Sequence, residues 1–205
     1  SERLVSLVTA MNIVASEHTS PEIREGHPFR VGVWVGREIS PNQLEKSRDG
    51  TDAKSLLQSL KKGEMKKANT RVIMFENCPW CGDDSIRNPN NWEIGWINGR
   101  KALIGRCESE GCPHNSSAGI PYTCVDDDIY NNPPSILLGT ADKFAQVAHN
   151  RSSSSSGSGS IPANIRTLLG FNGHNRPPDL IIQDELHLLT GPLGSMAGLV
   201  ETALD

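Results

Sequence analysis

The chain has 205 residues, 36% of them hydrophobic and 21% charged, enough for one large domain or one domain carrying an insertion. No run approaches the roughly 18 consecutive apolar residues of a membrane helix, and polar Ser6, Thr9 and Asn12 interrupt 2–15 too regularly for a signal peptide; a cytoplasmic protein with no membrane partner is expected. A formal charge of −4 argues against a general nucleic-acid-coating protein and leaves only local basic patches for that role, such as Lys46, Arg48, Lys54, Lys61, Lys62, Lys66, Lys67 and Arg71, whose plainer reading is a solvated helix face.

Residues 2–17 place Leu4, Leu7, Val8, Met11, Val14 and Ala15 at helical spacing, the apolar stripe of an amphipathic helix that Thr19, Ser20 and Pro21 break. Residues 29–35 read as a short strand, with Val31, Val33 and Val35 on one face and Trp34 on the other, closed by Gly36-Arg37. Residues 51–67 read as a second helix resting on Leu56, Leu57, Leu60 and Met65, and 71–75 as a strand. Two further strands, 92–97 and 101–106, flank Asn98-Gly99, whose positive φ angles suit a type I′ hairpin turn. Ile136, Leu137 and Leu138 form a buried-looking strand over 135–139, with a helix beginning around Ala141. Residues 151–160 contain SSSSSGSGS, which cannot bury apolar surface and reads as a flexible linker, natural or designed. A helix over 161–169, a strand over 179–183 and a closing helix over 194–204 complete the alternation. Strands separated by helical crossovers imply an α/β fold with a mainly parallel sheet.

The block at 76–124 interrupts that alternation. Cys78-Pro79-Trp80-Cys81 and Cys107 with Cys112 lie on either side of the hairpin, so that two tight turns, each with a glycine (Gly82, Gly111), bring four sulfurs together. Zn²⁺ suits four thiolates, and a closed four-ligand site is structural. His114 could replace one ligand to give Cys₃His. An iron–sulfur cluster, a redox Cys-x-x-Cys pair or merely buried cysteines are the alternatives. Cys124 stands apart as a buried, unliganded thiol. Trp80, Trp92 and Trp96 are concentrated here, either as the small core around the metal or as platforms for unpaired bases, with Arg100, Lys101 and Arg106 nearby.

Near the end, the apolar run Leu180-Ile181-Ile182 leads into Gln183-Asp184-Glu185-Leu186-His187. A continuous apolar run fits a strand covered on both faces, and ligands gather at the carboxyl ends of such strands. Taken alone, the acid pair could equally cap a following helix. In its context the segment resembles motif II, the Walker B box, of superfamily-two helicases of the Asp-Glu-x-His type. Residues 136–144, ILLGTADKF, resemble motif Ib, although Thr140 would also serve as an ordinary helix N-cap. The stretch 177–205, with Gly191-Pro192-Leu193-Gly194-Ser195, resembles the helicase component of DISARM anti-phage systems and related bacterial helicases.

The resemblance implies a partial RecA-like parallel sheet, with helices on both faces, built from 1–75 and 125–205 around an inserted zinc ribbon at 76–124. It implies that Asp184 holds Mg²⁺ of a bound ATP, Glu185 activates water, and His187 couples the nucleotide site to nucleic acid. Gly36, Arg37, Thr140 and Lys143 would then face the backbone of DNA, or of RNA, and the other motor domains and defence-system subunits would be partners. The chain holds no Gly-x-x-x-x-Gly-Lys-Ser/Thr loop and no motif III. It therefore reads as a fragment, inactive alone, of an ATP-dependent helicase or translocase; the alternative is a non-catalytic zinc-ribbon module that binds nucleic acid or protein.

Overall fold

A computed structural model describes residues 2–26, 28–64, 72–140, 143, 168, 170 and 176–182. The chain forms two compact units, Ser1–Leu138 and Gly139–Asp205. Among the described residues no helix is long and apolar enough to cross a membrane.

The first unit opens with helix α1 (Glu2–Ser16), followed by the single turn α2 (Pro21–Arg24). Strand β1 (Val31–Trp34) then runs parallel to β4 (Tyr122–Thr123), with Val31 opposite Tyr122, and has β5 (Ile136–Gly139) on its other side. This sheet, of order β4-β1-β5, and a separate antiparallel hairpin make the unit mixed α/β. Gly32 sits where β1 passes the chain entering β5: a Cβ there would lie 2.5 Å from Pro134 Cγ and 3.0 Å from Leu137 Cδ1, so no larger residue fits without displacing the proline ring.

Helix α3 (Ala53–Lys61) starts at Asp52, whose carboxylate accepts the Ser55 N–H at 3.0 Å. It buries the expected Leu56, Leu57 and Leu60. Lys54 and Lys61 of α3 and Lys62 just after it are exposed, with Lys54 paired to Glu45 at 2.9 Å. Lys66, Lys67 and Arg71 lie outside the described residues.

The hairpin joins β2 (Trp92–Ile97) to β3 (Arg100–Gly105) through Asn98 and Gly99, at φ 50° and 76°, as the dipeptide predicts. Among its buried side chains, Trp92 and Leu103 belong to the same core as Val31, Leu56, Phe75 and Tyr122. The hairpin thus borrows the core of the α/β sheet. The short helix α4 (Asp126–Asn131) supplies Asp128, which pairs with Arg30 at 3.0 Å while almost wholly buried and also accepts from Leu103 N at 3.4 Å.

Four expectations change. The buried face of α1 is Val5, Val8 and Thr9, whereas Leu7, Met11 and Val14 of the expected stripe are 53%, 39% and 66% exposed. Apolar residues line much of this helix, so periodicity alone does not choose the side that packs. Residues 72–75 form no strand: Val72 is helical and 73–75 are irregular, with Val72, Ile73 and Phe75 buried, because a short apolar run signals burial without fixing the backbone. Strand β5 is only half-buried to exposed, not buried.

In the second unit Lys143 lies in a helical turn, its N–H donating to Thr140 O at 3.0 Å, and Leu168 is helical and buried. Residues 179–182 form no strand, and Leu180, Ile181 and Ile182 are 75%, 56% and 81% exposed. An apolar triplet becomes a covered strand only where neighbouring strands flank it, and none among the described residues pairs with this one. The linker at 151–160, nearly all of the 161–169 helix and the closing helix lie outside the described residues.

Candidate metal centre

Each cysteine pair is held by a turn that its own backbone closes. In the first, Gly82 N–H donates to Cys78 O at 2.9 Å and Cys78 N–H to Asp83 O at 2.7 Å. Gly82 takes φ 78°, which favours glycine at that position. In the second, Cys112 N–H donates to Ser109 O at 3.2 Å, Gly111 takes φ 76°, and Cys107 N–H returns to His114 O at 3.2 Å. The antiparallel hairpin between them places the two turns side by side, since Cys107 follows the end of β3 by two residues.

The four sulfurs, Cys78, Cys81, Cys107 and Cys112, lie within 4.8 Å of one another. Cys78 and Cys112 are 3.8 Å apart, Cys81 and Cys107 3.5 Å. Tetrahedral Zn²⁺ with bonds of about 2.3 Å requires sulfur–sulfur edges of about 3.8 Å, so the donor set fits zinc in both chemistry and spacing. These separations are far from a covalent S–S bond of about 2.05 Å, and all five cysteines are free thiols. Among the described residues this is the one group able to hold a metal ion.

Protonation follows burial. Burial pushes the Cys78 and Cys112 thiols up. At exposed Cys81 the slight burial also acts upward, but the Asp83 N–H and the neighbouring Cys107, Ser109 and Cys78 bring the thiol down to about 7. A metal ion would replace the thiol protons and supply the positive charge that lets all four ionise together.

His114, 1% exposed, places Nδ1 3.2 Å from Cys78 Sγ and Nε2 2.9 Å from Thr9 Oγ1 of α1. Burial lowers its imidazole to about 4, so the ring is neutral at ordinary pH. The sequence offers His114 as a substitute ligand; the structure sets it beside a complete set of four sulfurs. Its link to Thr9, 105 positions away, had no sequence signal. Cys124 is buried and apart, raised to about 12 by burial.

The tryptophans divide. Trp92 is core, donating Nε1–H to Ile86 O at 2.7 Å. Trp80 and Trp96 are exposed, and the Lys101 ammonium stands 5.8 Å from the Trp96 ring centroid.

Four of the remaining candidates fall among the described residues. Gly36 and Arg37 sit on an exposed turn after β1, with Arg37 Nη2 3.8 Å from Asp49 Oδ2. Arg37 also lines a shallow polar cleft of about 300 Å³ with Asn42, Gln43, Ser47 and Thr51. Thr140 is exposed, whereas Lys143 is 4% exposed. Asp184, Glu185 and His187 lie outside the described residues.

No family model matches this chain. It is 28% identical over 215 aligned residues to the DISARM protein DrmA of Bacillus paralicheniformis, an alignment covering 86% of this chain and 17% of that protein. The chain thus spans about a sixth of the length of the curated relative it matches.

Proposed function

We propose that this chain is the zinc-bearing part of the first motor domain of a superfamily-two ATPase acting in DISARM-type anti-phage defence. The observation that carries the reading is the 28% identity to DrmA across 86% of the chain. The Leu180–His187 box and the motif-Ib-like segment, read as sequence, agree with it. In the complete protein a RecA-like core would bind Mg²⁺-ATP, which supplies the phosphoryl group transferred to water. Asp184 would hold the metal, Glu185 would take the proton from the attacking water, and His187 would link that site to the nucleic-acid path. Gly36, Arg37 and Thr140 are exposed and available to a phosphate backbone; Lys143, expected beside them, is buried with its N–H given to Thr140 O and is not offered to a phosphate. The cysteine centre would hold one structural Zn²⁺ through Cys78, Cys81, Cys107 and Cys112, fixing the hairpin.

The test uses the full-length parent protein. DNA-stimulated ATP turnover should fall by about 100-fold or more in Glu185→Gln, with zinc content unchanged and with the 205-residue chain alone inactive. ATP turnover by the 205-residue chain that Glu185→Gln removes would overturn the fragment reading. The four-cysteine cluster also favours a second reading, a non-catalytic zinc-ribbon module. Full-length protein whose defence activity is indifferent to Glu185→Gln but lost in Cys107→Ser would select it.

A further inference from the structure

Helix α1 touches the cysteine centre at two points one turn apart. Ser6 Oγ–H donates to Pro79 O at 2.5 Å, inside the first cysteine turn. Thr9 Oγ1 lies 2.9 Å from His114 Nε2, and the other ring nitrogen lies 3.2 Å from Cys78 Sγ. Thr9 and His114 are both buried, 3% and 1% exposed, so neither contact is shared with bulk solvent. Val5 and Val8, on the same side of α1, are fully buried. The helix is therefore pinned to the sheet core by its apolar side chains and to the metal turns by its hydroxyls.

We propose that His114 is an outer-shell hydrogen-bond donor to the Cys78 thiolate, not a ligand, and that through Thr9 it makes the seating of α1 depend on metal occupancy. The inference rests on the zinc reading above. A metal-bound thiolate offers only lone pairs, so a neutral ring beside it must carry its single proton on Nδ1. Nε2 is then an acceptor, and the Thr9 hydroxyl is the donor in reach. That hydroxyl donates to Val5 O at 2.7 Å within its own helix; with zinc bound, a ring fixed by the sulfur would draw that one proton to Nε2 instead. Both α1 anchors, Pro79 O and the His114 ring, belong to turns that the metal holds in place. Without the metal the anchors lose their fixed positions while Val5 and Val8 remain. The helix then stays collapsed on the core but is no longer locked.

The zinc-loaded 205-residue chain provides the test. Nitrogen-15 NMR of the His114 ring should show Nδ1–H with Nε2 unprotonated. Cobalt-substituted protein should keep four-thiolate charge-transfer bands in His114→Asn, which retains a donor at the Nδ1 position. His114→Ala, lacking it, should bind metal about 10- to 100-fold more weakly with the same bands. Amide exchange over residues 5–12 should slow at least tenfold on zinc binding in the wild type. In Thr9→Val, and more mildly in Ser6→Ala, that zinc-dependent slowing should disappear although one zinc remains bound. A ring with Nε2–H and metal on Nδ1, or α1 exchange indifferent to zinc, would overturn the proposal. The failures are separable. A wild-type chain that takes up no zinc sinks the metal reading and the coupling with it. One zinc on four thiolates with α1 unresponsive sinks the coupling alone.

Discussion

The two ends of the β2–β3 hairpin are fastened by different physics. At the open end, beyond Trp92 and Gly105, four cysteine sulfurs converge through turns closed locally, Cys78 to Asp83 and Cys107 to His114. At the tip, charged side chains reach to distant parts of the chain: Lys101 to Glu45, Arg100 Nη1 to the carbonyl of Asn131. Between the ends, Asp128 binds both Arg30 and the backbone of Leu103. One end is organised by local turns around a candidate metal, the other by long-range pairing. The difference teaches that a hairpin with little core of its own can be held in register from both directions, and the two fastenings should fail differently.

Removing a metal held by the four cysteines would be the largest perturbation. Structural zinc contributes about 10 kcal/mol or more of apparent folding energy in small zinc-finger peptides, but here Trp92 and Leu103 also share the sheet core. Chelation, or Cys78→Ser, should therefore unlock both cysteine turns while leaving Trp92 partly covered. Tryptophan emission checks this: a modest red shift is expected, and a shift to the fully exposed value would show that the shared core cannot hold the hairpin unaided.

Cutting the middle attachment comes next. Asp128 accepts from Arg30, Leu103 N–H and Asn132 Nδ2, the last at 3.0 Å. Asp128→Ala leaves the guanidinium of Arg30 buried without its partner, which should cost about 3–5 kcal/mol. Urea denaturation of the zinc-loaded chain measures it. A loss below about 1 kcal/mol would mean that water reaches Arg30 and that the hairpin is held chiefly from its ends.

This division also decides what was legible in the sequence. The cysteine spacing, Gly82, Gly111 and Asn98-Gly99 encode geometry within a few residues, and the turns and hairpin appear where those residues place them. The leucines of α3 were equally plain, because its apolar residues occupy one side, although the helix expected over 51–67 runs from Ala53 to Lys61. Helix α1 was legible as a helix but not in its buried face. Thr9 is buried by His114, a tertiary partner that no periodicity announces, while Leu7 and Met11 remain in solvent. The strand expected at 71–75 failed for a related reason. Val72 and Phe75 needed burial, and the fold buries them against Cys124 and Tyr122 without a ladder.

The tip supplies the smallest effect and the sharpest check on the comparison. Glu45 receives Lys101 of β3 and Lys54 of α3, the latter at 2.9 Å. Hydrogen bonding to Lys101 first, then to Lys54, holds its carboxyl down from the ordinary 4.5 to about 2. A carboxylate whose folded pKa is depressed stabilises the fold above its unfolded value and loses that contribution as pH falls through the folded one. The wild type should thus exceed Glu45→Gln in urea midpoint by a constant margin above about pH 5. That margin should shrink from pH 4.5 downward and vanish near pH 2. Because both lysine side chains reach solvent around a half-buried Glu45, salt should reduce the margin. The zinc end responds in the same direction but at higher pH: acid competes with the metal for the thiolates and should release it before Glu45 titrates. If the Glu45 margin instead disappeared together with the metal, the two ends of the hairpin would be a single cooperative unit and not two independent fastenings.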